Sequence, residues 1–309
     1  MLQKVTETIY KLVINPDSKL NSVNCFLVKG DSGYTVVDTG FNTSEAKVLW
    51  ESVLDSDTEI EKVVLTHTHQ DHIGLAKWFQ QEKGIPVYIV ELSYKEIKRY
   101  RTNGNREKLN GLIKSHGGKG FPGKLEKDTS IYDFEPDGLI RESDKIKLGD
   151  DYYEIIWTPG HAPDHYCFYN QDRKIMFIGD HILRDMSPVI GMWSGYESNI
   201  LSDYYCSLER MKKYTSDIAL PGHGEPIFHL SERVNQVKAR HNQRLQEVYE
   251  SIRYESKTAN QICEEIYGDS DNQFWLAQFL SIVTRLVYLE AEARIRRETS
   301  DGIIMFRSV

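Results

Sequence analysis

Four short apolar runs in this 309-residue chain each end in a turn that contains histidine or aspartate. The turn residues are the stretch HTHQDH at positions 67–72, His161, Asp180 and His223. Such runs are typical of buried strands, and α/β sheets place their sites at the carboxyl ends of their strands. The pattern therefore predicts an α/β fold that brings side chains from four distant segments into one site.

Apolar runs alternate with segments of helical period along most of the chain up to about residue 220. Strands are predicted at Ser22–Val28, Tyr34–Asp38, Val63–Leu65, Val87–Val90, Tyr152–Trp157, Tyr166–Tyr169, Ile175–Ile178 and Ile218–Leu220. Helices are predicted at Thr43–Val53, Leu75–Gln81 and Ile200–Lys213. Strands that alternate with helices indicate an α/β layer protein.

The segment between Ser93 and Lys127 interrupts this alternation. It contains ten Lys or Arg against three Asp or Glu, and it includes the glycine-rich stretch GGKGFPG at positions 117–123. We interpret it as a basic, partly flexible insertion that could close over the site and attract an anionic substrate such as a phosphoester, a CoA thioester or RNA. The alternative is a solvated helix face, which explains most charge runs.

Strand patterns end near Leu230, and a mainly helical segment follows. Helices are predicted at 231–253 and 258–267 and along an apolar stripe from Leu276 to Val287, before a closing hairpin in RRETSDGIIMFRSV. We therefore predict a domain of residues 1–229 and a helical, winged-helix-like domain of residues 230–309. The second has 11 Lys or Arg against 12 Asp or Glu, so we expect packing, substrate capping or dimerisation rather than DNA binding.

Composition excludes several classes of protein. With 40% hydrophobic residues and no apolar run near the roughly 20 that a bilayer requires, the sequence predicts no membrane span. The start MLQKVTETIYKLVIN lacks the order of a secretion signal, so we expect a cytoplasmic protein. A net charge of -8 argues against a general nucleic-acid binder. The four cysteines, Cys25, Cys167, Cys206 and Cys263, lack CxxC spacing and are predicted to be reduced, buried thiols.

Imidazole and carboxylate groups suit Zn(II), Fe(II) or Mn(II), which makes the turn residues candidate metal ligands. Seven such groups are present: His67, His69, Asp71, His72, His161, Asp180 and His223. This set would fill the coordination shells of two metals that share one carboxylate. Two neighbouring metals would generate a bridging hydroxide at neutral pH and polarise the bond it attacks, which is hydrolytic chemistry. Taken alone, the stretch 67–72 could instead be a charged, solvated turn.

These residues, with Asp38 in the early VVDTG, resemble the five signature motifs of the metallo-β-lactamase superfamily in chain order. The resemblance spans roughly residues 10 to 228 and implies an αββα sandwich with the metals at one edge of its two sheets. It implies a first ion held by His67, His69 and His161, a second held by Asp71, His72 and His223, and Asp180 as the bridge. Asp38 would accept a hydrogen bond from a ligand imidazole and fix its tautomer.

Within the superfamily, GDHILRDMSPVIGMW at positions 179–193 and the helical extension are similar to the branch of β-lactamase-like protein 2. Some members of that branch have a winged-helix-like tail, and some have ribonuclease activity. True β-lactamases of this fold usually lack the full dinuclear set, so antibiotic hydrolysis is not implied. The diiron oxygen reductases have a glutamate where this chain has Gln70, which argues against a flavodiiron role.

Five further histidines have weaker assignments. His165 and His181 could contact substrate or donate a proton to a leaving group, although we favour a supporting role behind the ligands or in a loop. His116, His229 and His241 lack a motif and are interpreted as surface or packing residues.

The leading hypothesis is a metallo-hydrolase that cleaves an ester, thioester, lactone or phosphodiester, with Asp180 or Asp71 orienting the nucleophile. The expected cofactors are two divalent ions, zinc first and iron or manganese as alternatives. The expected substrate is a small molecule or an anion, with RNA as one option, and a homodimer is a further option. An alternative is a mononuclear iron dioxygenase of thiol or persulfide adducts, which shares the fold and the first-site ligands. From another class, the chain could be a nucleic-acid-binding regulator with a structural metal site, which the near-neutral C-terminal segment argues against.

Overall fold

The computed structural model describes residues 2–15, 22–54, 58–102, 104–121, 129–268 and 274–309. Two mixed sheets form its centre. The first contains β1 to β7 in chain order: Gln3–Lys4, Ile9–Ile14, Val23–Lys29, Tyr34–Val37, Ile60–Val64, Val87–Val90 and Gly138–Ile140. Its strands are antiparallel up to β4 and parallel from β4 to β7.

The second sheet has the spatial order β12-β11-β10-β9-β8. Its strands β8 to β12 are Lys145–Leu148, Asp151–Trp157, Tyr166–Asn170, Ile175–Gly179 and Ile218–Pro221. Only the β11–β12 pair is parallel among these, so the carboxyl ends of β11 and β12 lie side by side.

Helices cover the outer faces of both sheets. In chain order, α1 to α9 are Ser44–Leu54, Gln70–Ile73, Ala76–Lys83, Glu91–Tyr100, Gly104–Ser115, Ile200–Met211, Leu230–Ser251, Ala259–Tyr267 and Trp275–Ala291. A 3-10 turn spans Thr129–Tyr132, and the hairpin strands β13 (Ile295–Ser300) and β14 (Ile303–Ser308) follow α9.

Three apolar clusters define four layers. Between the sheets, the rings of Phe26 and Phe177 meet at a centroid distance of 5.4 Å. On the outer face of the first sheet, Trp50 and Phe79 pack edge to face at 4.9 Å under α1 and α3. Outside the second sheet, a larger cluster joins α6, α7 and α9 to β10, β11 and β12. The arrangement is helix, sheet, sheet, helix, and it confirms the predicted αββα sandwich.

The basic segment is more ordered than its composition suggests. Helices α4 and α5 occupy most of it, and residues 122–128, including part of the glycine-rich stretch, lie outside the described residues. Ile97 and Tyr100 face the core, as do Leu112 and Ile113, while Lys95, Lys98, Lys108 and Lys114 are exposed. These helices belong to the connection between β6 and the parallel edge strand β7 of the first sheet. The segment is therefore a structural connection as well as a basic surface.

The C-terminal helices and hairpin are confirmed. The hairpin turns at Asp301 and Gly302, whose φ angles of 52° and 77° suit a two-residue turn of the primed type. Thr258 and Gln261 form a reciprocal capping box that begins α8. The largest apolar cluster includes residues on both sides of position 230, so the two halves share a core. The division at 229/230 and the winged-helix likeness therefore remain predictions.

Two further sequence expectations have structural outcomes. All four cysteines are free, but Cys206 is exposed, which corrects its assignment as a buried thiol because it lies on the solvent side of α6. Among the described residues, no helix is long and apolar enough to cross a membrane.

Candidate metal centre

The histidines and aspartates of the four turns meet at one edge of the sandwich. His67 and His69 follow β5, and α2 then presents Asp71 and His72. The other three residues, His161, Asp180 and His223, follow β9, β11 and β12 of the second sheet. The carboxyl ends of strands from both sheets thus supply the site, as the four-turn pattern predicts.

His67, His69 and His161 form a first cluster, with one ligand atom from each within 4.8 Å of the others. The Nδ1 atom of His67 lies 3.0 Å from the Thr66 hydroxyl, and Nδ1 of His161 donates to the Val189 carbonyl at 2.9 Å. These bonds orient both rings so that their buried Nε2 atoms have no hydrogen-bond partner.

Four residues, Asp71, His72, Asp180 and His223, form a second cluster, and their ligand atoms also lie within 4.8 Å of one another. Within it, Asp180 joins the two groups. Its Oδ2 atom lies 3.2 Å from Nε2 of His223 and 3.5 Å from Nε2 of His161, while Oδ1 lies 3.5 Å from Nε2 of His72. A carboxylate in this position can contact ions in both clusters.

Asp38 stabilises the centre through hydrogen bonds to residues of the first histidine stretch. Its carboxylate accepts hydrogen bonds at 2.8 Å from the Thr66 backbone N–H, the Thr66 hydroxyl and Nδ1 of His72. Because Nδ1 of His72 donates to Asp38, the lone pair of Nε2 is left to face the second cluster. Asp38 adopts a φ of 61°, and this left-handed conformation places the carboxylate within hydrogen-bonding distance of Thr66, which follows β5.

The electrostatics of the two clusters differ. Burial holds the pKa of His67 well below its ordinary value and lowers the pKa of His161, so these imidazoles are neutral. Burial would also lower the pKa of His72, but the carboxylates of Asp180, Asp71 and Asp38 raise it to about 10. The carboxylates of Asp180 and Asp71 likewise outweigh burial and raise the pKa of His223 to about 12. The second cluster therefore attracts positive charge, which a divalent cation can supply in place of protons.

Metal ions fit this donor set. Nε2 of His67, His72 and His161 and Oδ1 of Asp180 are buried and have no hydrogen-bond partner among the described residues. Leaving four polar atoms unsatisfied at one point is costly, and a coordinated ion satisfies them together. Imidazole and carboxylate ligands without thiolate suit zinc, iron or manganese.

The remaining histidines lie away from the open face of the centre. His165 is fully buried, donates from Nδ1 to Thr158 Oγ1 at 2.7 Å and accepts from the Asp180 backbone N–H at 3.0 Å. His165 therefore positions the backbone of Asp180. His181 is also fully buried and packs against Tyr204, which agrees with a supporting position, and the substrate contact considered for both imidazoles stays a prediction. His229 is exposed, whereas His116 and His241 are buried.

Three supporting residues were not identified from the sequence. Buried Asn24 donates to the carbonyls of Pro221 and Gly224 at 2.9 and 2.8 Å and thereby holds the loop that contains His223. Thr39 donates from its hydroxyl to the His72 carbonyl at 2.8 Å and fixes α2. Gly222 packs directly against the ligands. Asn24 lies within an apolar strand, a polar interruption that could have marked it.

We expect Gly222→Ala to weaken metal binding at the second cluster by about 10- to 100-fold. An added Cβ would collide with the Asp180 carboxylate and lie 2.6 Å from Cε1 of His72, so both ligands must move. The measurement is metal titration by calorimetry. Gly111→Ala is the control, because that exposed glycine has nothing within 4 Å of its Cβ position. Wild-type affinity in Gly222→Ala would show that the ligands tolerate displacement.

A cavity of about 290 Å³ opens beside the first cluster. His69 and His161 form one end of it, and its walls come from α4, the end of β9 and the 191–200 segment. Its lining includes Arg99, Tyr100, Trp157, Met192, Trp193, Tyr196 and Ile200. The basic segment thus contributes Arg99 and Tyr100 to a mainly apolar pocket next to the metal centre, whose lining also includes Asp203.

An αββα sandwich with a three-histidine cluster and a histidine–aspartate cluster at its edge is typical of a class of metallo-hydrolases. The family model of the metallo-beta-lactamase superfamily matches residues 19–223. The chain therefore belongs to the metallo-β-lactamase superfamily and is a metallo-hydrolase of that superfamily.

Relatives match well beyond the metal centre. The chain is 27% identical to "Probable metallo-hydrolase YqjP" of Bacillus subtilis over 98% of this chain and 99% of that protein. It is 26% identical to "Beta-lactamase-like protein 2 homolog" of Caenorhabditis elegans, over 87% of this chain and 79% of the relative. It is 28% identical to the human "Acyl-coenzyme A thioesterase MBLAC2", over 68% of this chain and 78% of the relative.

A solved structure shares the whole fold. The crystal structure of the metallo-beta-lactamase family protein TTHA1429 from Thermus thermophilus aligns with a TM-score of 0.85 at 24% identity. The alignment covers 99% of this chain and 100% of that one, so the shared fold includes the C-terminal helices.

Proposed function

We propose that this protein hydrolyses thioesters of small acyl substrates. The observation on which this rests is the cavity that ends at His69 and His161, because a substrate in it places its scissile bond against the metal centre. The likeness to a protein named as an acyl-coenzyme A thioesterase supports the thioester class.

The proposed cofactors are two divalent ions, with zinc first. The first would be held by His67, His69 and His161, the second by Asp71, His72 and His223, with Asp180 between them. Ions held by these residues would activate water at neutral pH and would polarise the scissile carbonyl.

The protein's own residues position the reaction. Asp180 and Asp71 are the carboxylates that orient the nucleophile, and both lie 3.2 Å from Nε2 of His223. Asp38 and His165 hold His72 and Asp180 in place through buried hydrogen bonds. This support restricts motion of the ligands and favours a preorganised centre.

The cavity wall determines which substrate enters. Met192, Trp193 and Ile200 offer apolar surface for an acyl chain, and Arg99 offers positive charge for an anionic group. Arg99 also pairs with Glu96 at 2.8 Å, and burial raises the pKa of the Glu96 carboxyl to about 6. The wall is therefore mainly apolar, with Asp203 and the ion-paired Arg99 as its charged groups, and it suits an acyl group.

We expect the metal-reconstituted protein to cleave acyl-CoA or glutathione thioesters in preference to lactones, phosphodiesters and single-stranded RNA. The measurement compares initial rates on these substrates, with Asp180→Ala as the blank. Asp185→Ala is the matched control, because Asp185 is an exposed aspartate outside both clusters. RNA or phosphodiester cleavage above the blank without thioester cleavage would contradict the proposal and assign phosphate-ester chemistry instead.

A further inference from the structure

A second cavity, of about 440 Å³, lies between α7, α9 and the 187–189 loop. Its lining includes Ser187, Val189, Arg240, His241, Arg244 and Arg285. The described lining thus contains three arginines and no carboxylate. None of these residues belongs to the two metal clusters.

Arg285 is the innermost cation of this cavity. It is only 6% exposed, yet its guanidinium forms no salt bridge with any described carboxylate. It donates from Nη1 to the Ser281 carbonyl at 2.7 Å and to the Ser281 hydroxyl, while its buried Nε has no partner. A buried cation without a counter-ion is destabilising, so this arrangement favours an anion from outside the chain.

His241 adds a neutral donor. Burial and the nearby charges of Arg285 and Arg240 lower its pKa to about 3, so the imidazole is uncharged at neutral pH. Its Nδ1 faces Nη2 of Arg285 at 3.5 Å and can accept from it, which leaves the proton on Nε2. That buried Nε2 has no hydrogen-bond partner, and neither does the Ser187 hydroxyl. Three unsatisfied polar groups therefore line one cationic cavity.

The two outer arginines differ in their partners. Arg244 pairs with Glu247 at 2.5 Å and stacks on the Tyr267 ring at 5.4 Å. Arg240 is exposed and has no described ion pair. The cavity therefore has one neutralised arginine and two whose charge is available to a ligand.

We propose that this cavity binds a phosphoryl group. A planar guanidinium pairs two N–H groups with two phosphate oxygens, and arginines from two helices can contact different oxygens of one tetrahedral anion. The unpartnered Nε2–H of His241 and the Ser187 hydroxyl supply further donors. Donors from three segments match a tetrahedral anion better than a planar carboxylate.

One loop contacts both this cavity and the metal centre. Val189 lines it, and the Val189 carbonyl accepts the hydrogen bond that orients His161. Farther along the same loop, Met192 and Trp193 line the cavity beside His69. The phosphoryl group can therefore come from a phosphorylated carrier on the substrate or from a separate small molecule that acts on the loop.

The test uses the full-length protein and inorganic phosphate, with chloride at equal ionic strength as the reference. We expect phosphate to raise the melting temperature of the wild type, and Arg285→Met and His241→Phe to abolish the shift. Arg240→Gln, at an exposed position that does not threaten folding, should weaken phosphate binding by at least about tenfold. Arg253→Gln is the matched control, because Arg253 is an exposed arginine outside the cavity. No phosphate-specific shift in the wild type, or equal affinity in Arg240→Gln, would overturn the proposal.

A second measurement identifies the source of the phosphoryl group, and it rests on the proposed thioesterase function. If the group belongs to the substrate, Arg240→Gln should raise KM about tenfold for an acyl-CoA and leave KM unchanged for the acyl-pantetheine thioester, which lacks phosphate. Equal KM values for wild type and variant, together with lost phosphate binding in Arg240→Gln, would assign the site to a separate phosphorylated ligand. Failure of every thioester would refute the proposed function without affecting the phosphate test.

Discussion

Asp180→Asn should lower kcat/KM by at least about a thousandfold, equivalent to about 4 kcal/mol of transition-state stabilisation. Asp180 is the one residue whose carboxylate lies 3.5 Å or less from ring nitrogens of both described clusters, through His161, His72 and His223. Asparagine keeps the shape but removes the charge, so the clusters lose their common ligand while the packing changes little. Steady-state kinetics on a thioester measure the loss.

Circular dichroism and metal content must accompany that measurement. We expect a native spectrum for Asp180→Asn, because the backbone N–H of residue 180 still donates to Nε2 of His165 and the Gly222 N–H still donates to the Gly179 carbonyl at 2.8 Å. Asp185→Asn, at an exposed carboxylate of the same segment, should retain wild-type activity. Comparable rates in the two variants would refute a catalytic centre at Asp180.

Removal of divalent metal should abolish turnover and lower the melting temperature by roughly 10 °C. Bound ions would satisfy buried nitrogen and oxygen atoms that have no other partner among the described residues, including Nε2 of His67 and His161. An ion at about a thousand times its Kd stabilises the native state by about 4 kcal/mol, and chelation removes that contribution. Activity assays and calorimetry before and after chelation measure both effects.

Reconstitution distinguishes the competing metal assignments. Two equivalents of zinc should restore activity, with the first equivalent filling one cluster only. Full activity with one iron per chain and uptake of dioxygen would instead support the mononuclear dioxygenase. Activity that survives complete chelation would exclude a metallo-hydrolase mechanism at this centre.

The fold was predictable because its signal is local. Strands such as β3 and β10 are buried along nearly their whole length, so their apolar runs are continuous and easily recognised. Helices α4 and α5 were missed because their basic surface residues obscured the apolar stripe that includes Ile97 and Ile113. The hairpin was visible because Asp301 and Gly302 are the residues that its turn conformation requires.

The position of the candidate ligands was predictable for the same reason. Each lies in the turn or the short helix that follows a strand, and strand ends meet at a sheet edge whatever the details of packing. The residues that support these ligands were less visible in the sequence. Asn24 holds a loop about 200 positions away, and Gly222 packs against side chains from other turns. A hydrogen bond across such a separation leaves no local pattern in the chain.

The sequence by itself determined the alternation of strands and helices and the residues available to hold metal, since both depend on local periodicity and strand ends, whereas the αββα layering was implied by the resemblance to the superfamily. Only the tertiary structure decided which buried polar groups remain without a hydrogen-bond partner. His241 and Arg285 lie 44 positions apart on two helices, and only their packing against the 187–189 loop excludes carboxylates from the described lining of the cavity. The partner of a buried charge is set by which helices pack together, and periodicity within one helix does not specify that.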